Sequence, residues 1–295
     1  MRRVLLILTL ALAPQLLGAQ VLPFLYSPTD ARSAALGGAG VALDADAWAM
    51  DNNLAAAALS NRHFAVGVDY ERWAPKLGAE NRFSVEGWFR RNRLAFGLAV
   101  KGVIAPETTG TSATGAPLDP FRPTDLSAAL GVGWCVARGF AVSADVRLVN
   151  SALNPDTRGT TVCGDVSLSY ASKSIQAGVS AQNLGGRIRY GDANYALPTL
   201  LKAGLSYTHP VFTLTAEADY LLQAGFMACV GAEVRPVSVL SLRAGYHHGA
   251  ADKGLPSFGS CGIGLNLQEF VLNAAYLFGS PALGNTFSVG MAYSF

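Results

Sequence analysis

Charged residues are scarce in this chain of 295 residues, and neither sign predominates. Only 14% of the residues are charged, 51% are hydrophobic, and the formal net charge is +2. So small a net charge argues against nucleic acid or another polyanion as a partner. A secreted soluble protein of this composition would be poorly soluble, whereas a transmembrane β-barrel needs it because its outer face meets lipid. A soluble β-sandwich is the alternative that the composition leaves open.

Cysteine is also scarce, and no two cysteines are spaced as a C-x-x-C pair. The four residues are Cys135, Cys163, Cys229 and Cys261. Each falls within a predicted strand, where the alternation directs the first three inward and Cys261 toward lipid. We interpret them as small barrel residues rather than as a disulfide framework or a metal site.

Long hydrophobic runs are missing beyond the N-terminus, which argues against a membrane-spanning helix. The N-terminus itself has the pattern of a secretory signal: Arg2 and Arg3, an apolar stretch over 4–12, and small residues for cleavage within 17–19. We predict a signal peptide over residues 1–19, with an uncleaved anchor as the alternative. No cysteine follows the apolar stretch, so a lipoprotein is not expected.

What the chain does contain is a regular alternation of large apolar residues with small or polar ones. In the last ten residues the large apolar positions are Phe287, Val289, Met291, Tyr293 and Phe295. A period of two indicates a strand with one apolar face. A strand of this kind that ends on phenylalanine is typical of the closing strand of an outer-membrane barrel.

The predicted fold is an all-β transmembrane antiparallel barrel of about fourteen strands over residues 62–295. Its connections alternate between tight links, such as that near residue 92, and longer ones over 104–122, 151–159 and 185–197. Short periplasmic turns and longer outer loops alternate in this way in bacterial barrels. Because the strand number is even, we expect the N-terminal segment and the C-terminus on the periplasmic side of the outer membrane.

Residues 20–61 do not alternate, and we predict that they form a plug inside the barrel. A glycine cluster at Gly37, Gly38 and Gly40 precedes an Ala-rich stretch. That stretch predicts a short helix with Asp44 or Asp46 as its N-cap. The cluster superficially resembles a dinucleotide-binding loop, but its spacing is wrong and it follows no strand. We expect the glycines to let the backbone pass through a crowded bore.

Several charged residues fall on the inward side of the alternation. They are Asp145, Arg147, Asp165, Glu217, Asp219 and Arg243, joined by Glu86, Lys101 and Lys202. The polar lumen of a barrel tolerates such charges. We expect them to form ion pairs and hydrogen bonds with the plug. The alternative is a lining that selects a small solute.

The sequence shows no catalytic constellation, and we predict a non-enzymatic protein without a cofactor or a bound metal. The four histidines are scattered, and the neighbours His247 and His248 must point to opposite faces of a strand. The segment 259–262, Gly-Ser-Cys-Gly, lacks the strand-to-helix context of a nucleophile elbow.

The plug segment carries a family resemblance. Its residues 30–42, with Asp30, Arg32 and the glycines at 37, 38 and 40, followed by residues 46–50, resemble the start of the PorV/PorQ proteins, which are FadL-like outer-membrane barrels. The next family element, Asn-Pro-Ala, reads Asn53-Leu54-Ala55 here, so its proline is missing. Residues 70–75, 181–186 and 242–246 also look like family segments.

The resemblance implies a fourteen-stranded barrel that serves as an accessory or cargo-docking subunit of a larger outer-membrane machine. Type IX secretion is the expected machine, with barrel assembly as the second choice. The implied partners are outer-membrane lipid, a secretion translocon or assembly machinery, and secreted protein cargo. The loop over 104–122, the other outer loops and a lipid-facing wall would supply the docking surface.

Two alternatives to docking stay open. One is a FadL-like transporter of hydrophobic small molecules, and the other is a purely structural barrel. A transporter needs an apolar pocket near the plug and a kinked or broken strand for lateral exit. The predicted inward faces are mainly Ser, Gly, Thr and charged residues, which favours docking over transport.

Overall fold

The computed structural model describes residues 22–76, 78–111, 117–250 and 254–295. Within this part of the chain, fourteen antiparallel strands form a closed barrel, which confirms the predicted fold. The predicted signal peptide, residues 1–19, lies outside the described residues. No helix in the described ranges is long and apolar enough to cross a membrane.

The wall is a simple meander, in which each barrel strand pairs with the next and the first pairs with the last. The barrel strands are β1 (Phe64–Trp73), β2 (Glu80–Arg91), β3 (Leu94–Ile104), β6 (Thr124–Ala137), β7 (Phe140–Asn154), β8 (Thr157–Ala171), β9 (Ile175–Leu184), β12 (Leu200–His209), β13 (Phe212–Leu221), β14 (Gly225–Val237), β15 (Leu240–His248), β16 (Phe258–Leu267), β17 (Phe270–Phe278) and β18 (Thr286–Ser294). Two hairpins stand outside the wall, β4 (Thr108–Thr111) with β5 (Pro117–Phe121) and β10 (Arg187–Tyr190) with β11 (Ala193–Ala196).

Each wall strand turns one face to lipid and the other to the lumen, as the period of two predicts. In β1, Val66 and Val68 are exposed on the outer surface, whereas Asp69 and Glu71 are buried in the lumen. Aromatic side chains lie on the outer surface toward both rims, among them Phe89, Trp134, Phe140 and Tyr170 at one rim and Tyr70, Phe83, Tyr220 and Tyr246 at the other. Such belts are typical of membrane interfaces.

The cysteines lie as their strand positions predicted, and all four are free thiols. Cys163 and Cys229 are buried, Cys135 is half-buried, and Cys261 is exposed on the outer surface.

We call the rim where β2 turns into β3 the short-turn end, and the opposite rim, where β3 connects to β6, the loop end. The predicted long connection over 151–159 is wrong, because β7 continues to Asn154 and β8 begins at Thr157. The Asn154 side chain supports this two-residue turn by accepting hydrogen bonds from the backbone N–H groups of Asp156 and Thr157 at 3.0 and 2.7 Å. The predicted loops over 104–122 and 185–197 contain the two hairpins.

The bore is filled by residues 22–61, which form a 3₁₀ turn (Pro23–Leu25), helix α1 (Ala31–Ala35) and helix α2 (Ala49–Leu59). Asp30 caps α1 by accepting from Ser33 N. The N-cap predicted for α2 is wrong: the cap residue is Trp48, which makes no side-chain capping bond. Asp46 Oδ1 accepts from Trp48 N at 3.0 Å, one residue ahead of the helix, and both Asp44 and Asp46 pair with Arg32.

The plug begins at the loop end and finishes at the short-turn end. Leu22, Phe24 and Leu25 pack against Val103 and Ile188 near the loop end, and α2 ends just before β1 starts at the opposite rim. The first described residue, Leu22, and the C-terminus therefore lie at opposite ends of the barrel, and a periplasmic position of both termini stays a prediction. An even strand count fixes where β1 starts, but it says nothing about where the preceding segment enters the bore.

Candidate functional site

The plug is tied to the wall by buried ion pairs, the first of which centres on Asp51 of α2. Its carboxylate lies 2.5 Å from Arg147 Nη2 on β7 and 2.6 Å from Lys101 Nζ on β3. Arg147 also lies 3.2 Å from Asp165 Oδ2 on β8. Burial alone would raise the pKa of Asp51, but Arg147 and Lys101 together lower it below its ordinary value. An ionised Asp51 thus links α2 to β3 through Lys101 and to β7 and β8 through Arg147.

Asn53 interrupts α2 two residues after Asp51, with φ −171° and ψ 95°. Its Nδ2 donates to the carbonyl oxygens of Val41 and Leu168 at 2.8 and 3.1 Å, and its Oδ1 accepts from Ala55 N at 3.1 Å. Asn53 therefore caps the second half of the helix. Leu54 takes the first position of that half, where proline is well tolerated. The helix breaks here without the proline of the family motif because the Asn53 side chain supplies the cap.

The opposite wall holds the glycine-rich turn through Glu217 of β13. Glu217 Oε2 accepts hydrogen bonds from the backbone N–H groups of Gly40 and Val41, both at 2.7 Å. Glu217 Oε1 lies 2.7 Å from Lys202 Nζ on β12. One predicted plug glycine and one predicted lumenal charge thus meet in the same contact.

The turn at Gly37 and Gly38 packs directly on β15. Both glycines have left-handed backbone conformations, with φ of 76° and 92°, which suit glycine. A Cβ atom added to Gly245 of β15 would lie 2.8 Å from Leu36 Cα and closer still to Gly37 N. The carbonyl oxygen of Gly37 lies 3.2 Å from His247 Nδ1. Plug and wall therefore touch backbone to backbone at this point.

Toward the short-turn end, a second ion cluster joins α1 to β14. Arg32 lies 2.6 Å from Asp44, 3.1 Å from Asp46 and 3.6 Å from Glu233. Glu233 Oε2 in turn accepts from Arg243 Nε on β15 at 2.6 Å. Arg32 lowers the pKa of Asp44 to about 2. Burial raises the pKa of Asp46 to about 6, although Arg32 opposes that rise.

These two aspartates predict an optimum of stability at mildly acidic pH. Asp46 binds its proton more tightly when folded, so its stabilising contribution is present below about pH 4 and is lost as the pH rises through about 6. Asp44 has the opposite sign, and its contribution is lost as the pH falls from about 4 through about 2. We expect Asp46 to lower the free energy of unfolding by about 2–3 kcal/mol between pH 4 and pH 7.

Urea unfolding of the detergent-solubilised protein across this pH range measures the effect. The variant Asp46→Asn should flatten the profile between pH 4 and pH 7. Asp192→Asn, at an exposed position of the β10–β11 hairpin, should leave it unchanged. An identical slope in Asp46→Asn and the wild type would contradict the assignment.

The other sequence-predicted residues also face the lumen. Asp30 accepts from Asn52 Nδ2 at 3.1 Å as well as capping α1, and Asp145 lies opposite Asp165 in the β7–β8 register. Asp219 follows Glu217 on the inner face of β13 and is buried. Arg243 does not meet Glu217 or Asp219, because Glu233 faces it directly in the β14–β15 register.

Two residues of these clusters were missing from the sequence prediction. Glu233 falls on the inward parity of β14, so the alternation could have identified it. Asp51 is the only charged residue of α2, among apolar and amide residues. The sequence around it does not indicate that its ion pairs connect it to three distant strands. Its role follows from how deep α2 lies in the bore.

Spaces of different character remain around the plug. A central chamber has about 530 Å³ of empty space but is narrow, with about 30 Å³ open to the centres of water molecules. It is lined mainly by polar and charged groups, including Lys101, Arg147, Lys202, Asp219 and His247. A vestibule of about 1190 Å³ opens at the short-turn end around Arg32, Arg243 and Asn273.

Two further spaces remain. A side pocket with about 290 Å³ of empty space, of which about 20 Å³ is open to the centres of water molecules, lies between the plug and β2–β3. Phe24, Phe83 and Val103 line it together with polar and charged residues, namely Ser27, Thr29, Asp69, Glu71, Arg82, Ser84 and Lys101. On the lipid-facing surface, a depression of about 1130 Å³ crosses β7 to β14 and is floored by small residues, namely Ala181, Ala203 and Ala218.

A closed antiparallel barrel with an apolar outer face, a charged lumen and an inserted N-terminal segment defines an integral outer-membrane barrel. No protein-family model matches the sequence, and no curated protein sequence matches it either. Solved structures do match. The chain is similar to the toluene transporter TbuX of Ralstonia pickettii, with a TM-score of 0.65 and 16% identity over 92% of this chain and 99% of that one.

Two other structures agree with this match. The toluene transporter TodX of Pseudomonas putida has a TM-score of 0.66 and 12% identity, over 94% of this chain and 98% of that one. A FadL homologue of Pseudomonas aeruginosa has a TM-score of 0.62 and 12% identity, also over 94% of this chain and 98% of that one. At these identities the likeness establishes the fold alone, which is the FadL-like barrel.

Two of the matching structures are named as toluene transporters, which agrees with the predicted non-enzymatic barrel. The PorV/PorQ resemblance stays a prediction, because the matching structures share only the FadL-like fold. Within the described ranges, no group of three or more His, Cys, Asp or Glu side chains is arranged to hold a metal ion.

Proposed function

We propose that this barrel takes up small hydrophobic molecules at its loop end and releases them sideways through the wall into the membrane. The fold supports this proposal, because two structures similar to the chain are described as toluene transporters. The apolar cluster at the loop end supports it as well, since Phe24 and Leu25 pack there against Val103 and Ile188. An apolar molecule that enters this cluster is transferred from water to an apolar environment, and this transfer is favourable.

The route along the barrel axis is closed to such a molecule. Below the apolar cluster lies the central chamber, whose ion pairs at Asp51 and Glu217 would have to be parted or desolvated. Desolvating buried charges is costly. A sideways route through the side pocket passes Lys101, but its lining does not include Asp51, Arg147, Glu217 or Lys202.

The side pocket leads to the wall between β2 and β3. It is lined by Phe24 from the plug and by Phe83, whose ring lies on the outer surface. Phe83 faces Gly102 across the ladder, and a Cβ atom at Gly102 would overlap the Phe83 ring. The ring therefore covers bare backbone between the pocket and the lipid, and it is the side chain we expect to move during release.

The wall is irregular between β8 and β9, but this place is less suited to release. The β8–β9 register shifts between Gly164 and Val166. Asn183 closes this place from inside, because its backbone N–H donates to Asp165 at 2.6 Å and its side chain donates to the carbonyl oxygens of Leu25 and Pro198. Asn183 thus closes the β8–β9 wall from inside by hydrogen bonds. The β2–β3 ladder is regular, and the Phe83 ring lies over Gly102 there by apolar contact.

Filling the side pocket should abolish uptake without unfolding the barrel. In Val103→Trp the indole occupies the space between Phe24 and Phe83, and toluene uptake by cells expressing the variant should fall to that of cells lacking the protein. Val85→Trp is the matched control, because Val85 lies on the exposed face of β2 away from the pocket lining. Equal uptake by the two variants would refute the side pocket as the route, and equal uptake by wild-type and barrel-free cells would refute transport.

A second function is favoured by one observation, namely that the plug and its ion pairs fill the bore. A closed barrel suits the PorV/PorQ-type role, an accessory or cargo-docking subunit of type IX secretion or of barrel assembly. The connection over 104–122 and the lipid-facing depression over Ala181, Ala203 and Ala218 would offer the docking surface.

Purification from native membranes in mild detergent separates the two functions. Stoichiometric recovery with a large outer-membrane translocon or assembly barrel would support docking. Recovery of the chain alone, with hydrophobic uptake intact, would leave transport as the function. Substituting Ala203→Trp in the depression should release a docked partner and spare uptake.

A further inference from the structure

The lipid-facing depression follows an oblique row of outward side chains across five successive barrel strands. Its neighbours in the strand registers are Val142, Leu168, Val179, Ala203 and Ala218. Val142 stands two positions from Phe140, where β7 begins at the short-turn end, whereas Ala218 stands six positions from Phe212, where β13 begins at the same end. The depression therefore runs from the short-turn rim toward the middle of the wall.

Small side chains make this row a groove. Ala181, Ala203 and Ala218 form its floor, between larger residues such as Leu201 and Tyr220. About 630 Å³ of the groove is open to the centres of water molecules, against about 30 Å³ in the central chamber. A groove without partner atoms loses dispersion contacts. In a bilayer, an acyl chain can restore these contacts because it is both apolar and flexible.

Basic side chains border the depression at its short-turn end. Arg138 lies in the β6–β7 turn, two residues before Phe140, and Lys173 lies in the β8–β9 turn. The two turns touch, because the backbone N–H of Ala171 donates to the carbonyl oxygen of Gly139 at 2.9 Å. Both basic side chains are exposed, and neither forms an ion pair within the described ranges. Two positive charges thus stand side by side at the mouth of the groove.

No acidic residue offsets these charges on this part of the rim. The β2–β3, β6–β7 and β8–β9 turns with their adjoining strand ends, residues 89–94, 134–140 and 170–175, contain five basic residues and no Asp or Glu. The five are Arg90, Arg91, Arg93, Arg138 and Lys173. The turn at the other end of the depression, residues 222–224, is uncharged. The charge therefore marks one end of the groove, and an anion complements it.

The depth of the two turns favours a lipid over a soluble anion or an acidic protein segment. Phe140 and Tyr170 form an aromatic pair between the turns and Val142, with ring centroids 6.1 Å apart. Aromatic belts lie at the level of the lipid headgroups, and arginine and lysine beside them extend their charges toward water. Arg138 can then donate two parallel hydrogen bonds to a phosphate.

We infer that the depression and its two basic turns hold one anionic phospholipid. Its phosphate contacts Arg138 and Lys173, and an acyl chain passes the aromatic pair and lies along Val142 and Ala203. The inference does not depend on hydrophobic uptake, because the side pocket lies at β2–β3, outside the depression. It also differs from the docking function, because a lipid and not a protein covers this surface.

Native mass spectrometry of the full chain tests the headgroup. The chain is extracted from vesicles of equal parts phosphatidylglycerol and phosphatidylcholine with identical acyl chains. We expect one retained lipid per chain, with phosphatidylglycerol favoured by about fivefold or more. Combining Arg138→Gln with Lys173→Gln should remove this preference. Combining Arg187→Gln with Arg189→Gln, at two exposed arginines of the β10–β11 hairpin, should leave it unchanged.

A tryptophan in the groove tests the acyl chain. Ala203→Trp should lower the retention of both lipids severalfold. Ala274→Trp is the matched control, because Ala274 alternates with the exposed Leu272 and Tyr276 on β17 and lies outside the depression. If Ala203→Trp fails to form a heat-modifiable barrel, Ala181→Phe fills the same groove and should have the same effect.

Three results would overturn the inference. Equal retention of the two lipids by the wild type would mean an apolar groove that accepts any acyl chain. Displacement of phosphatidylglycerol by excess inorganic phosphate would mean a simple anion site on the turns. Recovery of the wild type without lipid, or with a protein that Ala203→Trp releases, would mean that no lipid occupies the depression.

Discussion

Replacing Asp51 with alanine should lower the free energy of unfolding by about 3–5 kcal/mol, the largest loss we expect from a single lumenal substitution. The reason is that Arg147 and Lys101 would both lose the carboxylate that lies within 2.6 Å of each. Asp165 would still contact Arg147, but Lys101 would be left as a buried charge without its ion-pair partner. The first half of α2 would also lose its tie to the wall.

Urea unfolding in detergent micelles measures this loss, with two comparisons. Asp192→Ala removes an exposed pair with Arg189 on the β10–β11 hairpin and should change stability by no more than about 0.5 kcal/mol. Combining Asp51→Ala with Lys101→Met and Arg147→Met should restore much of the loss, because the stranded charges are removed with their partner. If Asp51→Ala were as stable as Asp192→Ala, the ion pairs of Asp51 would not contribute to stability.

Replacing Gly245 with valine should displace the plug from the wall and open the bore to ions. The new side chain would occupy the position of Leu36 and Gly37, whose backbone atoms a Cβ atom already meets at 2.8 Å or less. Backbone atoms cannot move aside as the end of a flexible side chain can. We therefore expect the free energy of unfolding to fall by about 3 kcal/mol or more. The wall ladder itself can still form, since valine favours strands.

Conductance in planar lipid bilayers is the measurement for this variant. The wild type should show little or no conductance, and Gly245→Val should show stable open channels. Ala244→Val is the matched control, because Ala244 is the preceding residue of β15 and points to lipid. Low conductance in Gly245→Val together with an unchanged barrel would mean that the plug accommodates the side chain, which the contacts of Leu36 argue against.

The wall could be predicted from the sequence because its rule is local. Every second residue of a strand shares a face, so the exposed Val66 and Val68 and the buried Asp69 and Glu71 follow from their order alone. The same rule placed Arg147 and Asp165 in the lumen. The alternation rule did not predict the turn at 155–156. Asn154 holds that turn through two side-chain hydrogen bonds, which a periodicity does not reveal.

The plug could be predicted only as a buried segment. Its contacts join residues far apart in the chain, such as Gly40 with Glu217 and Asp51 with Arg147. No repeat connects such positions. The break at Asn53 shows the same limit, since the missing proline made a different turn plausible, while the asparagine side chain caps the helix by itself.

The closed ring around residues 22–61 has a consequence for how the molecule is assembled. These residues precede β1, and the ring is completed where β1 pairs with β18, the first strand with the last. Backbone contact at Gly245 and the narrow chamber leave no clearance for sliding this segment lengthwise into a finished cylinder. Insertion into the membrane must therefore be an encirclement, in which the sheet curls around its own leading segment and the seam between the two terminal strands is joined last.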